Sequence, residues 1–322
     1  MKKMLVILLT LAFVLSLVAC GQNAEIKPVT MKIGMLKGPT GMGMAKMLEE
    51  GYVLDKNIET EVLIAAAPDE LTAKLISGEV QIAAVPTNLA AVLYNKTKGE
   101  VQIAAVNALG NLFVVTNGVE IKEFADLAGK TITTVGQGAT PEYALNYMLD
   151  KAGIKDKVKI NYIAEPSELA TMVAGGAVGV AVLPEPFVSV VTMKDINIQS
   201  VLNLNDEWNK LNNNQMMAMG CIVVNKKFAE ENKAAVNKFL TEYEKSVAFV
   251  NKDTAAAAKI IESRGILANA AVAEKAIPNS AIVYKDATAN KEAINAYLKI
   301  LYTYNPASVG GALPDDDFYY KK

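Results

Sequence analysis

Residues 69–91 read DELTAKLISGEVQIAAVPTNLAA, and residues 167–189 read SELATMVAGGAVGVAVLPEPFVS. Laid side by side without a gap, they share Glu70 with Glu168, Leu71 with Leu169, Gly78 with Gly176, Val80 with Val178, Ala83 with Ala181 and Pro86 with Pro184. Both run in the same order: an amphipathic segment of helical period, a glycine that ends it, a short apolar run, and a proline that opens the next segment. A second echo lies upstream of each copy, where Gly38-Pro39-Thr40 and Gly138-Ala139-Thr140 each open a helical pattern after an apolar run. Glycine after a helix and valine or alanine in a strand are common, so generic geometry accounts for part of the match. Helix end, strand and proline coinciding in order point to two lobes of one construction.

Outward from these copies, the apolar runs 31–36, 61–65, 80–85, 131–135, 158–163 and 178–183 alternate with helical patterns. That alternation predicts an α/β fold with mostly parallel sheets. The hexapeptide VQIAAV occurs at Val80 and again at Val101, which reads as two buried neighbouring strands. Residues 216–224 form a strand leading out of the second copy. Within 228–250, Val236, Phe239, Leu240, Tyr243, Val247 and Val250 recur at three and four, one core-facing helical stripe. Helical patterns over 254–263, 270–276 and 290–302 complete the chain. The simplest assembly is two-lobed, with residues 31–110 and 217–322 in lobe I and 111–216 in lobe II. The chain crosses near 107–112 and returns near Met216, and two crossovers make a hinge.

The N-terminus opens on Met1, Lys2 and Lys3, followed by an apolar run over 4–18 and then Leu17-Val18-Ala19-Cys20. A short basic region, an apolar region too short for a comfortable membrane span and small residues at the end predict an export signal over 1–19, with an uncleaved anchor as the alternative. Cys20 after Leu-Val-Ala resembles the lipobox of bacterial lipoproteins, in which the thiol carries a diacylglycerol. Residues 20–30 are then a polar tether. Without the leader about 300 residues remain, more than one hydrophobic core usually serves.

Of the two cysteines only Cys221 is left in the mature chain, so no intramolecular disulfide is expected, and its apolar neighbourhood predicts a small buried hydrophobe. The formal charge of −2 argues against nucleic acid as a partner. Arg264 is the one arginine among 32 basic residues, so a bound anion must be held by backbone amides, hydroxyls or lysine instead of a guanidinium fork. The chain has no histidine, and no catalytic set, metal-ligand spacing or cofactor motif is apparent. Neither enzyme activity, a metal nor a cofactor is expected.

Ligands of open α/β sheets bind beyond the carboxyl ends of the strands, where loops and helix N-termini converge. KGPTGMG (37–43) follows the first strand: its glycines allow backbone N–H groups to approach a ligand, and Thr40 can cap the helix or offer a hydroxyl. It is not a Walker A loop, since no Gly-Lys-Ser/Thr follows. GQGATP (136–141) is the equivalent loop of the other lobe, with Gln137 and Thr140 as polar contacts. Val85-Pro86-Thr87-Asn88 and Leu183-Pro184-Glu185-Pro186 close the second pair of strand ends. Thr87 or Asn88 either meets ligand or caps the next helix. Glu185, the acid of these loops, either receives an amine or caps a helix. Met35, Met42 and Met44 suit an apolar ligand body or belong to the core.

The lipobox, KGPTGMG, LPEPF, the stretch CIVVNKKFAEEN and the C-terminal NPASVGGALPDDDFYY together resemble the periplasmic-binding-like family of nitrate, taurine, alkanesulfonate and thiamine-pyrimidine binding proteins. The resemblance implies a type II, two-lobed Venus-flytrap fold that closes on a small molecule and docks, as a monomer, on an ABC permease with its cytoplasmic ATPase. It carries ligand contacts onto Thr40, Gly41, Met42, Thr87, Asn88, Gln137, Gly138, Thr140 and Glu185. Fungal pyrimidine synthases of the superfamily consume a histidine, which this chain lacks. A sulfonate, taurine or nitrate-like anion is the expected ligand; an aminated heterocycle, or a sensor that presents ligand to a receptor other than a permease, is the alternative.

Overall fold

The computed structural model describes residues 28–65 and 68–322. The leader, Cys20 and most of the tether lie outside the described residues. Eleven strands follow in chain order: β1 (Val29–Leu36), β2 (Ile58–Ala65), β3 (Ile82–Pro86), β4 (Val101–Ala108), β5 (Leu112–Asn117), β6 (Thr131–Val135), β7 (Lys159–Ile163), β8 (Val180–Pro184), β9 (Ile198–Asn203), β10 (Gly220–Asn225) and β11 (Ile282–Asp286). They build two mixed sheets with helices packed against them, an α/β architecture. One sheet has the order β2-β1-β3-β10-β4-β11 and the other β7-β6-β8-β5-β9.

The internal echo is visible in this order. β1 lies between β2 and β3 and runs parallel to both; β6 lies between β7 and β8 in the same way. Gly78 and Gly176 follow the helices Pro68–Ile76 and Pro166–Ala174 with φ of 74° and 75°. A Cβ at either would meet nothing within 4 Å, so the left-handed backbone and not lack of space selects glycine there.

The sheets are less parallel than the sequence pattern predicts. β5 and β10 are the strands by which the chain arrives from the opposite sheet, and each enters antiparallel beside the central parallel strand, β8 or β3. β10 also separates the two VQIAAV strands: Cys221 faces Val85 on β3 and Val106 on β4, so these strands are second neighbours and not adjacent ones. Between them Cys221 is fully buried, and burial pushes its thiol up to about 12. β9 and β11, two edge strands with mixed burial, carry too weak an alternation to be read from sequence.

The helical stripe falls on Lys233–Lys252, where Val236, Phe239, Leu240, Tyr243, Val247 and Val250 are all buried and the Phe239 and Tyr243 rings stack at 6.0 Å. Helices also span the gap between the sheets. Trp208, on Leu204–Leu211 ahead of the return to β10, packs its ring 5.2 Å from Tyr147 of Thr140–Lys151 and 5.7 Å from Tyr297 of Lys291–Tyr304. Ala270–Ala276 packs against Phe187–Lys194 on another side. Among the described residues no helix is long and apolar enough to cross a membrane.

Candidate functional site

A cavity of about 450 Å³ opens between the two sheets, at the loops that leave β1, β3, β6, β7 and β8. Thr40, Asn88, Thr140 and Glu185 line it, each at or just before the first turn of a helix. First-turn amides have no acceptor inside their own helix, so this placement aims unpaired donors toward one space. The donor supply is smaller than the loops suggest, because six prolines, Pro39, Pro86, Pro141, Pro166, Pro184 and Pro186, also line the cavity. They carry no N–H. Leu36, Phe187, Met219 and Leu267 make the remaining wall largely apolar. Lys37 and Glu185 are its charged residues.

Two of the polar groups meet across the cleft. Thr140 Oγ1 donates to Asn88 Oδ1 at 2.9 Å, and Asn88 Nδ2 donates to the Ser308 carbonyl at 3.3 Å. Ser308 belongs to the C-terminal segment, whose Asn305 Nδ2 in turn donates to Tyr143 OH at 3.1 Å on the Thr140 helix. A hydroxyl has one hydrogen, so in this arrangement Thr140 presents lone pairs to the cavity.

Glu185 is 1% exposed. Its Oε2 accepts from Ser189 N and its Oε1 from Ser189 Oγ, both at 3.1 Å, which caps the helix Phe187–Lys194. Burial raises its carboxyl above the usual range, against the lowering effect of the Ser189 bonds and of Asn279 and Lys275 on the facing element. A carboxylate offers about four acceptor positions, more than these bonds take, so capping and ligand contact are compatible here.

Other sequence-predicted residues fall elsewhere. Gly41 and Met42 are buried in the core beneath the first loop, and the glycines there answer to packing: a Cβ at Gly41 would sit 2.5 Å from Leu36 O, and one at Gly43 would sit 2.5 Å from Tyr243 OH. Thr40 does not cap its helix; Gly38 holds that position, and Asn107 Nδ2 donates to Thr40 O at 3.2 Å, leaving the hydroxyl free of that role. Thr87 is fully buried, its N–H on Met219 O at 3.0 Å, so its side chain turns into the sheet and away from the cavity. Gln137 and Gly138 are exposed and absent from the cavity wall, because the turn is drawn outward where Gly138 N donates to Glu142. Methionines 35, 42 and 44 are core residues, and Met219 is the methionine at the wall.

Sequence reasoning missed Asn111, Phe187 and Met219 as wall residues. Asn111 had a signal: it is a polar residue at the crossing point, directly before the apolar run Leu112–Val115. Among the described residues no cluster of acidic, cysteine or histidine side chains could hold a metal.

Residues 44–273 match a family described as ABC transporter, phosphonate, periplasmic substrate-binding protein. In fold the chain is similar to an ABC transporter crystal structure from Parabacteroides distasonis, with 27% identity, a TM-score of 0.79, and 91% of this chain and 99% of that chain covered. It is also similar to the periplasmic aliphatic sulphonate binding protein SsuA from Escherichia coli, with 16% identity and a TM-score of 0.72 over 91% and 92% of the two chains. The periplasmic nitrate-binding protein NrtA from Synechocystis PCC 6803 aligns with 14% identity and a TM-score of 0.62 over 88% and 83%. No curated protein matches the chain.

Proposed function

The chain belongs to the family of periplasmic substrate-binding proteins of phosphonate ABC transporters, which bind and do not catalyse, and from that premise we propose that it captures a small organic oxyanion, a phosphonate or sulfonate, in the cleft between its sheets. One observation carries this reading: Thr40, Asn88 and Thr140, at helix starts that follow strands of different sheets, line a single cavity. Helix starts favour negative charge, and Lys37 adds the one cation at the wall. An anion would take the Thr140 hydrogen in competition with Asn88, since an ionised acceptor makes the stronger bond. The apolar wall favours an organic body over a bare inorganic ion.

In this reading the ligand contacts are Thr40, Asn88, Thr140 and Glu185, and residues 31–110 with 217–322 close on 111–216. Cys20 carries the lipid that holds the monomer at the outer membrane face, beside the permease and its ATPase. Sulfonate and nitrate ligands in the names of SsuA and NrtA support an oxyanion.

A second reading has its own observation. Glu185 is an acceptor in an apolar wall with Phe187 beside it, which suits an aminated heterocycle. Calorimetric titration with ethylphosphonate, ethanesulfonate, nitrate and an aminopyrimidine separates the two. Binding of the first pair alone supports the oxyanion, and binding of the aminopyrimidine alone overturns it.

A further inference from the structure

Asn111 stands at the crossing from the first sheet to the second, one residue ahead of β5, and lines the cavity with only 8% of its surface exposed. Glu185 N donates to Asn111 O at 3.0 Å, and the next residues along, Leu112 and Pro184, are register partners. Asn111 and Glu185 therefore face each other as a cross-strand pair, and opposite residues of an antiparallel ladder project from the same side. Both line the same cavity.

Their chemistry is complementary. The carboxylate accepts only; Ser189 donates to it from N and Oγ, and Asn279 on the facing element also acts on it. The Asn111 amide both donates and accepts, and among the described residues it has no hydrogen-bond partner. The amide is open to the cavity it lines, so a ligand there can take up both its donor and its acceptor. Thr40 and Lys37, by contrast, follow β1 of the other sheet. Asn111 and Glu185 thus stand as a pair on the second sheet's side of the wall, with Lys37 and Thr40 on the first sheet's side and Thr140 bonded across the cleft to Asn88.

We infer that Asn111 is a specificity-determining residue: with Glu185 it holds a hydrogen-bond-donating second group of the ligand, a hydroxyl or an amine, while the oxyanion lies toward Thr40, Thr140 and Lys37. The inference rests on the oxyanion reading given above. It makes Asn111 a discriminator between solutes that share a head group.

The test is calorimetric titration of the mature wild-type protein and of Asn111→Ala with ethanesulfonate, 2-hydroxyethanesulfonate and 2-aminoethanesulfonate, and with the three corresponding phosphonates. In the wild type the hydroxyl or amino form is expected to bind about tenfold more tightly than the ethyl form, the scale of one hydrogen bond. Asn111→Ala is expected to erase that ratio. A ratio that survives the substitution, or one absent from the wild type, overturns the inference and leaves the oxyanion reading standing. Failure of the wild type to bind any of the six overturns both. Should Asn111→Ala not fold, Asn111→Thr, which keeps bulk but shortens the reach, is read by the same ratio.

Discussion

The Thr140 hydroxyl and the Asn88 side-chain carbonyl lie 2.9 Å apart although they belong to helices that follow different sheets, so one hydrogen bond spans the cleft. Asn88 is held for this by Ser308 of the C-terminal segment, which fixes the amide with its oxygen toward Thr140. The contact joins three separate stretches of chain at the point where a ligand would enter.

Thr140→Val removes the hydrogen at nearly constant shape. A hydrogen bond to an ionised acceptor contributes about 1.5–3 kcal/mol net, so ligand affinity is expected to fall about tenfold to a hundredfold. Thr40→Val and Thr140→Val together are expected to abolish the ligand-induced rise in melting temperature in differential scanning fluorimetry. Retention of the full rise in the double variant would remove both residues from the site.

Glu185 sets a pH dependence of definite sign. Its folded carboxyl is raised by burial, so the folded state holds the proton more tightly than the unfolded chain. The associated stability is complete below the ordinary carboxylate range and is lost as pH rises through the raised value. Glu185→Gln lacks this loss and keeps an acceptor for Ser189 N. Its melting temperature relative to wild type is therefore expected to climb between pH 4 and the raised value and to level off above it. A difference that falls with pH contradicts the assignment.

Gly43→Ala tests what lies under the first loop. A Cβ there would stand 2.5 Å from Tyr243 OH and 3.2 Å from Ile282 Cγ2, and Tyr243 is fully buried against Phe239. Overpacking of this kind costs about 1–3 kcal/mol. Tyr243→Phe in the same chain removes the clashing hydroxyl and is expected to recover part of the loss. Chemical denaturation of the two single variants and the double measures the coupling directly.

Cys20→Ser is expected to shift the protein from the membrane fraction to the soluble fraction of the producing cells. Stable anchoring needs two acyl chains or their equivalent, which a serine at that position does not receive. Continued membrane association would leave the lipobox reading without support.

The local patterns carried most of the framework. The repeated order of helix, glycine, strand and proline located β3 and β8 and the helices around them, because Gly78 and Gly176 must be left-handed and the two strands are buried up to their closing prolines. The stripe from Val236 to Val250 fell on one helix face for the same reason: burial at periods of two or 3.6 residues is written along the chain. Tertiary structure decided the rest. Which strand slides between β3 and β4, and that it runs antiparallel, depends on a chain returning from the other sheet. Thr40, Asn88 and Thr140 face the cleft while Thr87, Gly41 and Met42 face the core, yet all six sit in similar loops of similar composition. Their direction is set by distant partners, Met219, Tyr243, Asn107 and Ser308, and residue type and spacing along the chain do not encode those contacts.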